Sequence, residues 1–273
     1  MTEIRSDSAP ASLPPPSAPR LSALVVVHDE ERQLADCLGR LAFADELIVV
    51  LDKCTDRSKE IALAHGALLV EGEWDIEGRR RNTGIAACTG DWILEVDADE
   101  RVPAELAAEI RACIGRSEAD YHDIPVDNYV GARLVRHGWG GSFGKSAYAG
   151  LFRKGVKIWG DERVHPHLVW RGRNGGKAIK GAGLSARLDH YVDRDISDMI
   201  RRFNSYTSAR ARDLRESGRI GSFPNNLRRL VSRFFKCYVR RGGWREGGYG
   251  FLIALLAGLY PLVSHLKAKL EDQ

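Results

Sequence analysis

The chain has 273 residues, 44% of them hydrophobic and 29% charged, with a formal net charge of +4. This length and composition are those of a globular protein with one large domain and an appendage, or with two modest domains, and they exclude a chain that lacks a hydrophobic core. Five cysteines, widely spread and without a C-x-x-C pair, argue against a disulfide framework or a zinc site and favour a reducing cytosol.

The first twenty residues, MTEIRSDSAPASLPPPSAPR, are rich in Pro, Ser and Ala. Such a composition buries too little apolar surface to fold, so we predict a disordered tail over residues 1–20 and expect no signal peptide. Regular structure is therefore expected from Leu21 onward.

Strands and helices alternate over the next eighty residues. Short apolar runs predict strands at 21–27, 46–51, 67–70 and 92–96. Helical patterns lie between them, the clearest at 78–88. We therefore predict an α/β fold with a Rossmann-like, mostly parallel sheet flanked by helices.

The remainder of the chain divides into two parts. A helix follows Pro103, and the stretch 120–190, rich in Gly, aromatic and basic residues, predicts short strands and loops that carry a substrate pocket. Helical patterns return at 195–216 and 227–241. We assign residues 21–190 to the α/β domain and residues 191–273 to a helical, basic and apolar extension.

Polar side chains follow three of the predicted strands. His28 and Glu30 follow the first strand, Asp52 the second, and Asp97 and Asp99 the fourth. Parallel sheets bind ligands at the carboxyl ends of their strands. We therefore expect these side chains to converge on one site.

The segment EVDADER places three carboxylates within four positions after the fourth strand. Acids there either cap the helix that begins near Pro103 or hold a cation. Asp97 and Asp99 are two residues apart, so in an extended turn their side chains point the same way, as a shared cation requires. This favours a Mg²⁺ or Mn²⁺ site at these two acids, whereas Glu100 suits a charge at the start of the helix.

Several motifs in combination resemble the nucleotide-sugar domain of family 2 glycosyltransferases with a GT-A fold: LVVVHDEE, TDRS and RRRNTGIAACTGDWILEVDADER. Later stretches, among them GLFRKG, ERVHPHL and FFKCYVRRGGW, are similar to bacterial lipopolysaccharide-core β-glucosyltransferases. The resemblance runs from Leu21 to the C-terminus. It implies a nucleotide-sugar donor, expected to be a UDP-sugar, a divalent cation (Mg²⁺ or Mn²⁺), a lipid-linked saccharide acceptor and inversion at the anomeric carbon.

The resemblance also implies roles for the residues after the first two strands. His28 and Glu30 match the positions where the family's first strand meets the base and ribose, and Asp52 matches the acid that reads the base. The chain departs from the family here, because it reads LDKCTD where relatives read D-S-G-S-T-D or D-D-G-S-T-D. The role of Asp52 depends on that match.

A second set of roles comes from the later motifs. Arg81 and Asn82 match the family's R-N pair, which faces the nucleotide. Asp97 and Asp99 match its D-x-D motif, with Asp97 near the ribose and Asp99 on the metal. His165 and His190 are further candidate metal ligands or phosphate contacts, with an ordinary half-buried histidine as the alternative for each.

The catalytic base is expected just after residue 160. Many relatives carry V-H-E, but this chain has Pro166 after His165, so the expected Glu is absent. Asp161 and Glu162 lie just upstream, and either carboxylate can take a proton from an acceptor hydroxyl. A solvated charged turn is the alternative for both acids.

The C-terminal part combines a basic stretch with an apolar one. Residues 194–245 carry fourteen Arg and Lys against four acids, and residues 249–266 have none of the four charged types. The apolar stretch borders on the ~20 residues that span a bilayer, but Pro261 and His265 weaken that interpretation. We favour a segment lying in the interface of an anionic membrane, with a buried C-terminal helix as the alternative.

Two other functions compete with sugar transfer. A nucleotidyltransferase would also use a strand-end acid pair with metal, but it commonly has a Gly-rich phosphate loop after the first strand, and HDEERQL is not one. A nucleic-acid-binding protein would use the Arg-rich C-terminal half. The adjacent apolar segment favours lipid instead, so we expect no nucleic acid partner and a cytoplasmic, peripheral location on the inner face of the cytoplasmic membrane.

Overall fold

The computed structural model describes residues 18–140, 144–161 and 167–271. The strands are β1 (Leu21–Val27), β2 (Glu46–Asp52), β3 (Leu68–Gly72), β4 (Trp92–Asp97), β5 (Glu100–Arg101), β6 (Tyr121–Val130), β7 (Arg133–Val135), β8 (Ala147–Arg153), β9 (Lys157–Trp159), β10 (Leu168–Trp170) and β11 (Leu188–Asp193). The helices are α1 (Leu34–Gly39), α2 (Ser58–Ala64), α3 (Glu77–Ala87), α4 (Ala104–Ile114), α5 (Ile196–Glu216), α6 (Phe223–Phe235) and α7 (Gly248–Leu270). A π-helical turn, Lys236–Arg240, continues α6, and a short 3₁₀ helix, Gly243–Glu246, precedes α7.

Nine of the described strands form the main sheet, in the order β3-β2-β1-β4-β8-β6-β11-β5, with β7 on β6. The first four pair in parallel, as the alternation of strands and helices predicts. In the other half β8 is antiparallel to both β4 and β6, and only β6 and β11 pair in parallel. The α/β fold with a helix-flanked sheet is confirmed, and parallel pairing dominates only its N-terminal half.

Strand β1 lies at the centre of the parallel half and is buried on both faces. Alternate residues of a strand point to opposite faces. Ala23 and Val25 accordingly join the cluster that contains α1 and α4, whereas Leu24 joins the cluster that contains Ile85 of α3. Its nearly continuous apolar sequence therefore reflects helices on both sides of the sheet.

Helices α5, α6 and α7 pack together at the β6–β7 end of the sheet. A separate apolar cluster joins Val130 and Trp139 to Met199 of α5 and to Ile253 and Tyr260 of α7. Helices α6 and α7 approach closely at Gly258, where a Cβ atom would lie 2.8 Å from the carbonyl oxygen of Leu230. The C-terminal helices are thus attached to the sheet through a continuous apolar core.

Helix α7 contains the apolar stretch 249–266. Among the described helices it alone is long and apolar enough to span a bilayer by length and composition, yet more than half of its most apolar window is buried within the protein. The buried side chains include Ile253, Ala257 and Tyr260. This arrangement corresponds to the alternative of a buried C-terminal helix. A large apolar surface exposed to solvent would therefore lie on other elements.

Candidate active site

A cavity of about 600 Å³ opens at the carboxyl ends of β1 and β4. Six residues singled out in the sequence line it: His28, Glu30, Arg81, Asp97, Asp99 and His190. Helices α3 and α5 close its sides and contribute Glu77, Arg80 and Arg202 to its wall, and Lys145 from the segment before β8 is the remaining charged residue there. The predicted convergence of strand-end side chains is therefore observed for His28, Glu30, Asp97 and Asp99.

Asp97 lies between two cationic side chains. Its Oδ1 accepts from Arg81 Nη2 at 2.9 Å, and its Oδ2 accepts from Lys145 Nζ at 3.1 Å. Burial alone would raise the pKa of Asp97, but the charges of Lys145 and Arg81 outweigh it and hold that pKa well below its usual range. Asp97 is therefore ionised at neutral pH, with both oxygens engaged by protein cations.

Glu100 has a different environment from the one predicted. It is fully buried in β5, four residues before the first residue of α4, so the assignment to a helix start is wrong. Its Oε2 accepts from the backbone N–H of Asp97 at 2.9 Å, and its Oε1 lies 2.6 Å from Lys145 Nζ. Antiparallel pairing of β5 with β11 turns this side chain inward, which spacing alone does not reveal.

Glu95, the first acid of EVDADER, is also buried and paired. It accepts from Arg81 Nη1 at 2.7 Å and from Lys157 Nζ at 2.6 Å. Burial alone would raise the pKa of Glu95, but these two cations lower it. Because Arg81 bonds both Glu95 and Asp97, it fixes the end of β4 against α3.

Asp99 and His190 form the second polar pair of the cavity. His190 Nε2 lies 3.2 Å from Asp99 Oδ2, and His190 Nδ1 lies 2.9 Å from Asn128 Oδ1. The amide nitrogen of Asn128 donates to the carbonyl oxygen of Lys145 at 3.0 Å, so its oxygen is the atom turned toward the imidazole. Asn128 Oδ1 therefore accepts a hydrogen bond from His190 Nδ1–H, which leaves Nε2 facing Asp99.

The Asp99–His190 pair fits a divalent cation. Asp99 Oδ1 is buried and has no hydrogen-bond partner among the described residues. A buried carboxylate oxygen without a partner is costly, and a cation beside it would remove that cost. Burial alone would lower the pKa of His190, but the charge of Asp99 and the hydrogen bond to it raise that pKa.

Two predicted nucleotide contacts lie beside the cavity and are engaged within the protein. Asp52 accepts from the backbone N–H of Trp74 and from Arg80 Nη1, each at 3.0 Å. The amide of Asn82 bonds the backbone of Trp159 twice, donating to its carbonyl at 2.8 Å and accepting from its N–H at 2.9 Å. Their contacts with a nucleotide remain predictions.

Of the two candidate bases, only Asp161 lies within the described residues. Asp161 is exposed, pairs with Arg79 Nε at 3.2 Å and is not among the residues lining the cavity. Glu162 lies outside the described residues, as does His165. The base therefore stays a prediction for either acid.

Sequence reasoning missed three side chains in the cavity wall. Lys145 comes from a Gly-rich segment without periodicity, so nothing local marked it. Arg202 and Tyr206 come from α5, where Arg202 is held by a two-point ion pair with Asp193 at 3.0 and 2.7 Å. A charged residue on the same helical face as Met199 was the available signal for Arg202.

Comparison with known proteins gives one family. The family model described as "Glycosyl transferase family 2" matches residues 22–159, half of the chain. The lipopolysaccharide core biosynthesis glycosyltransferase LpsC of Rhizobium meliloti is 24% identical over 264 residues, covering 90% of this chain and 91% of that protein. A TPR repeat-containing protein of Synechococcus elongatus is 40% identical over 102 residues, which are 37% of this chain and 25% of that protein.

Among solved structures, the chain is similar to glucosyl-3-phosphoglycerate synthase from Mycobacterium tuberculosis, solved with Mn²⁺, uridine diphosphate and phosphoglyceric acid. The identity is 21% and the TM-score 0.35, and the match covers 40% of this chain and 43% of that one. The chain thus spans less than half of that structure and a quarter of the TPR protein. LpsC, in contrast, is matched along nearly its full length.

Proposed function

The chain belongs to glycosyl transferase family 2, and on that premise we propose that it moves a sugar from a UDP-sugar to a lipid-linked saccharide, such as a lipopolysaccharide core. Sugar transfer follows from membership of the family. The acceptor class is supported by the match to LpsC, whose name assigns it to lipopolysaccharide core biosynthesis. Beyond family membership, the proposal therefore specifies UDP as the nucleotide of the donor and a lipid-linked saccharide as the acceptor.

The observation that carries the proposal is the partnerless oxygen of Asp99 beside His190 in a cavity lined with charged side chains of both signs. Asp99 and His190 would hold a divalent cation, with Asp97 nearby on the same strand end. Such a cation supplies charge neutralisation at the diphosphate leaving group. Lys145 and Arg202 place cationic groups in the same wall, where they are held by ion pairs with Asp97 and Asp193.

The proposed reaction is a single in-line displacement. The acceptor oxygen forms a bond to the anomeric carbon as the bond from that carbon to the diphosphate breaks, which inverts the anomeric configuration. The acceptor proton passes to a carboxylate, and the nucleoside diphosphate leaves. We assign the carboxylate to Asp161 or Glu162, and replacement of the true base by its amide is expected to lower turnover ~10²–10⁴-fold with donor binding intact.

The proposed place of action is the cytoplasmic surface of a membrane. A lipid-linked acceptor keeps its saccharide within reach of the bilayer, so an enzyme that acts on it gains from binding that surface. The basic C-terminal segment, with fourteen Arg and Lys against four acids over 194–245, supports this location.

A thermal-shift screen of nucleoside diphosphates with and without Mn²⁺ tests the donor site. UDP with Mn²⁺ is expected to raise the melting temperature more than either alone, because the cation and the diphosphate share one site. Asp99→Asn should abolish the Mn²⁺-dependent part of the shift. Asp123→Asn is the matched control, since Asp123 is equally exposed but pairs with Lys180 outside the cavity.

Two outcomes would count against the proposal. If no nucleotide stabilises the protein, the donor site is wrongly placed. If Asp99→Asn keeps the full Mn²⁺-dependent shift, the cation is bound elsewhere.

A further inference from the structure

Helix α6 and the π-helical turn that continues it carry an apolar row that faces solvent. Leu227, Val231, Phe235 and Val239 are 46%, 64%, 53% and 45% exposed, and they follow one another at intervals of four residues. Residues four apart lie on one face of a helix. The opposite side of α6, which includes the buried Asn226, packs against α7. Four large apolar side chains in a row are more than scattered surface exposure requires.

A basic row runs beside the apolar one. The next residue along the chain from each member of the apolar row is exposed, and three of these four residues are basic: Arg228, Lys236 and Arg240, with Ser232 as the fourth. The surrounding segment, residues 217–245, contains eight Arg and Lys and no Asp or Glu. The surface therefore combines apolar contact with an uncompensated positive charge.

Two further exposed aromatic side chains lie in the elements that follow α6 along the chain. Phe251 of α7 is exposed and makes edge contacts with Phe234 and Tyr238, which flank the apolar row. Trp244 is exposed in the 3₁₀ helix after α6, with the guanidinium of Arg245 over its ring. Trp is enriched where proteins meet the membrane–water interface, because its ring is apolar and its N–H is polar.

We propose that this face of α6 docks the enzyme on an anionic phospholipid bilayer, with the apolar row among the acyl chains and the basic row at the head groups. The proposal deepens the proposed function, on which it rests for a lipid-linked acceptor. It assigns docking to α6 instead of the more apolar α7, whose side chains are largely used inside the protein.

The charge pattern favours a bilayer over other occupants. A second copy of the chain would bring two basic segments together, each with eight cations and no acid. A nucleic acid would satisfy the cations but leave Leu227, Val231 and Phe235 without an apolar partner. An anionic bilayer satisfies both rows at once.

Vesicle flotation with the full chain tests the docking face. The probes are vesicles of phosphatidylethanolamine with phosphatidylglycerol, and vesicles of phosphatidylcholine alone. The triple variant Leu227→Gln, Val231→Gln, Phe235→Gln is expected to lower partitioning onto the anionic vesicles at least about tenfold, because the apolar contact is lost. The matched control replaces three equally exposed apolar residues elsewhere: Leu63→Gln, Leu68→Gln and Ile179→Gln.

A second triple variant, with its own control, measures the contribution of the positive charges to vesicle binding. Arg228→Gln with Lys236→Gln and Arg240→Gln is expected to weaken binding to anionic vesicles by roughly fivefold per charge and to leave phosphatidylcholine binding unchanged. The control removes three exposed cations from other surfaces: Lys154→Gln, Arg171→Gln and Lys177→Gln.

The stabilisation by UDP and Mn²⁺ is measured for every variant, so that failure of docking and failure of the proposed function are distinguishable. Flotation of the apolar triple variant at the wild-type level, with the UDP shift intact, would overturn docking alone. A wild-type dimer that this variant dissociates without loss of flotation would assign the face to a second copy. Duplex DNA binding as tight as vesicle binding, lost in the basic variant, would assign it to nucleic acid.

Discussion

Arginine and lysine side chains serve opposite purposes in the cavity wall and on α6. Around the end of β4, beside the cavity, Lys157 is buried and Arg81 and Lys145 are partly buried, and each lies within 3.1 Å of a carboxylate from β4 or β5. On α6 and the turn that continues it, Arg228, Lys236 and Arg240 are exposed, and the surrounding segment, residues 217–245, contains no acid. A buried cation requires an internal partner because desolvation is costly, whereas an exposed one leaves its charge available to a surface outside the protein.

The paired charges fix the geometry of the site, whereas the exposed charges are available to provide affinity for an outside surface. Paired charges in the wall hold Asp97 and the end of β4 in place, although replacing a whole buried ion pair with apolar side chains need not lower stability. Removing one partner is different, because the other charge is left buried alone. Variants that remove single partners from each region therefore measure the contrast directly.

The largest effect is expected for Lys157→Met, which leaves Glu95 buried with one cation instead of two. We expect the free energy of unfolding to fall by about 3–5 kcal/mol, measured by urea denaturation. Lys154→Met, at an exposed position three residues earlier, should change it by less than about 0.5 kcal/mol. An equal loss of stability in the two variants would mean that the loss does not come from the burial of the Glu95–Lys157 pair.

Asn128→Leu should act on the cation site without removing a ligand. It deprives His190 Nδ1 of its acceptor, so the imidazole is no longer held with Nε2 toward Asp99. Affinity for Mn²⁺ in the presence of UDP is expected to fall about 10–100-fold by isothermal titration calorimetry. The exposed Asn174→Leu serves as the control, and unchanged Mn²⁺ affinity in Asn128→Leu would remove His190 from the metal site.

A smaller effect is expected from one exposed cation. Lys236→Gln should lower partitioning onto anionic vesicles about fivefold at low salt, because each Lys near such a surface contributes about 1 kcal/mol. The effect should shrink in high salt, since screening shortens the reach of exposed charges. A loss of binding that salt does not alter would show that Lys236 acts through the fold.

The smallest effect is expected for the stability of Val231→Gln. Val231 is the most exposed member of the apolar row, and Gln has a higher helix propensity than Val. The free energy of unfolding should therefore change by less than about 0.5 kcal/mol, even though vesicle binding weakens. A loss of several kcal/mol would place Val231 in the protein core and not on a docking face.

Local patterns in the sequence predict the parallel half of the sheet well. Strand β1 occupies the predicted residues, Leu21–Val27. A short apolar, β-branched run flanked by polar residues is typical of a strand buried on both faces of a parallel sheet. The convergence of Asp97, Asp99 and His28 follows from strand direction alone. These predictions depend on period and order, which the sequence contains directly.

Long-range pairing explains what the sequence did not predict. Glu100 is turned inward by pairing with a strand ninety residues later, and Lys145 meets Asp97 across 48 residues of chain. His190 was a candidate from the sequence, but the Asn128 amide that orients it was not. Antiparallel strands that enter from different parts of the chain carry no period that links them.

The close contact at Gly258 has a consequence for which acceptors the enzyme can use. There α6 packs closely against α7, and α7 in turn packs on α5, which carries Arg202 and Tyr206 into the cavity wall. A bilayer-bound α6 would therefore hold the cavity at a constant height above the lipid. The enzyme would then work as a molecular ruler, selecting acceptors whose terminal sugar projects from the membrane by that height.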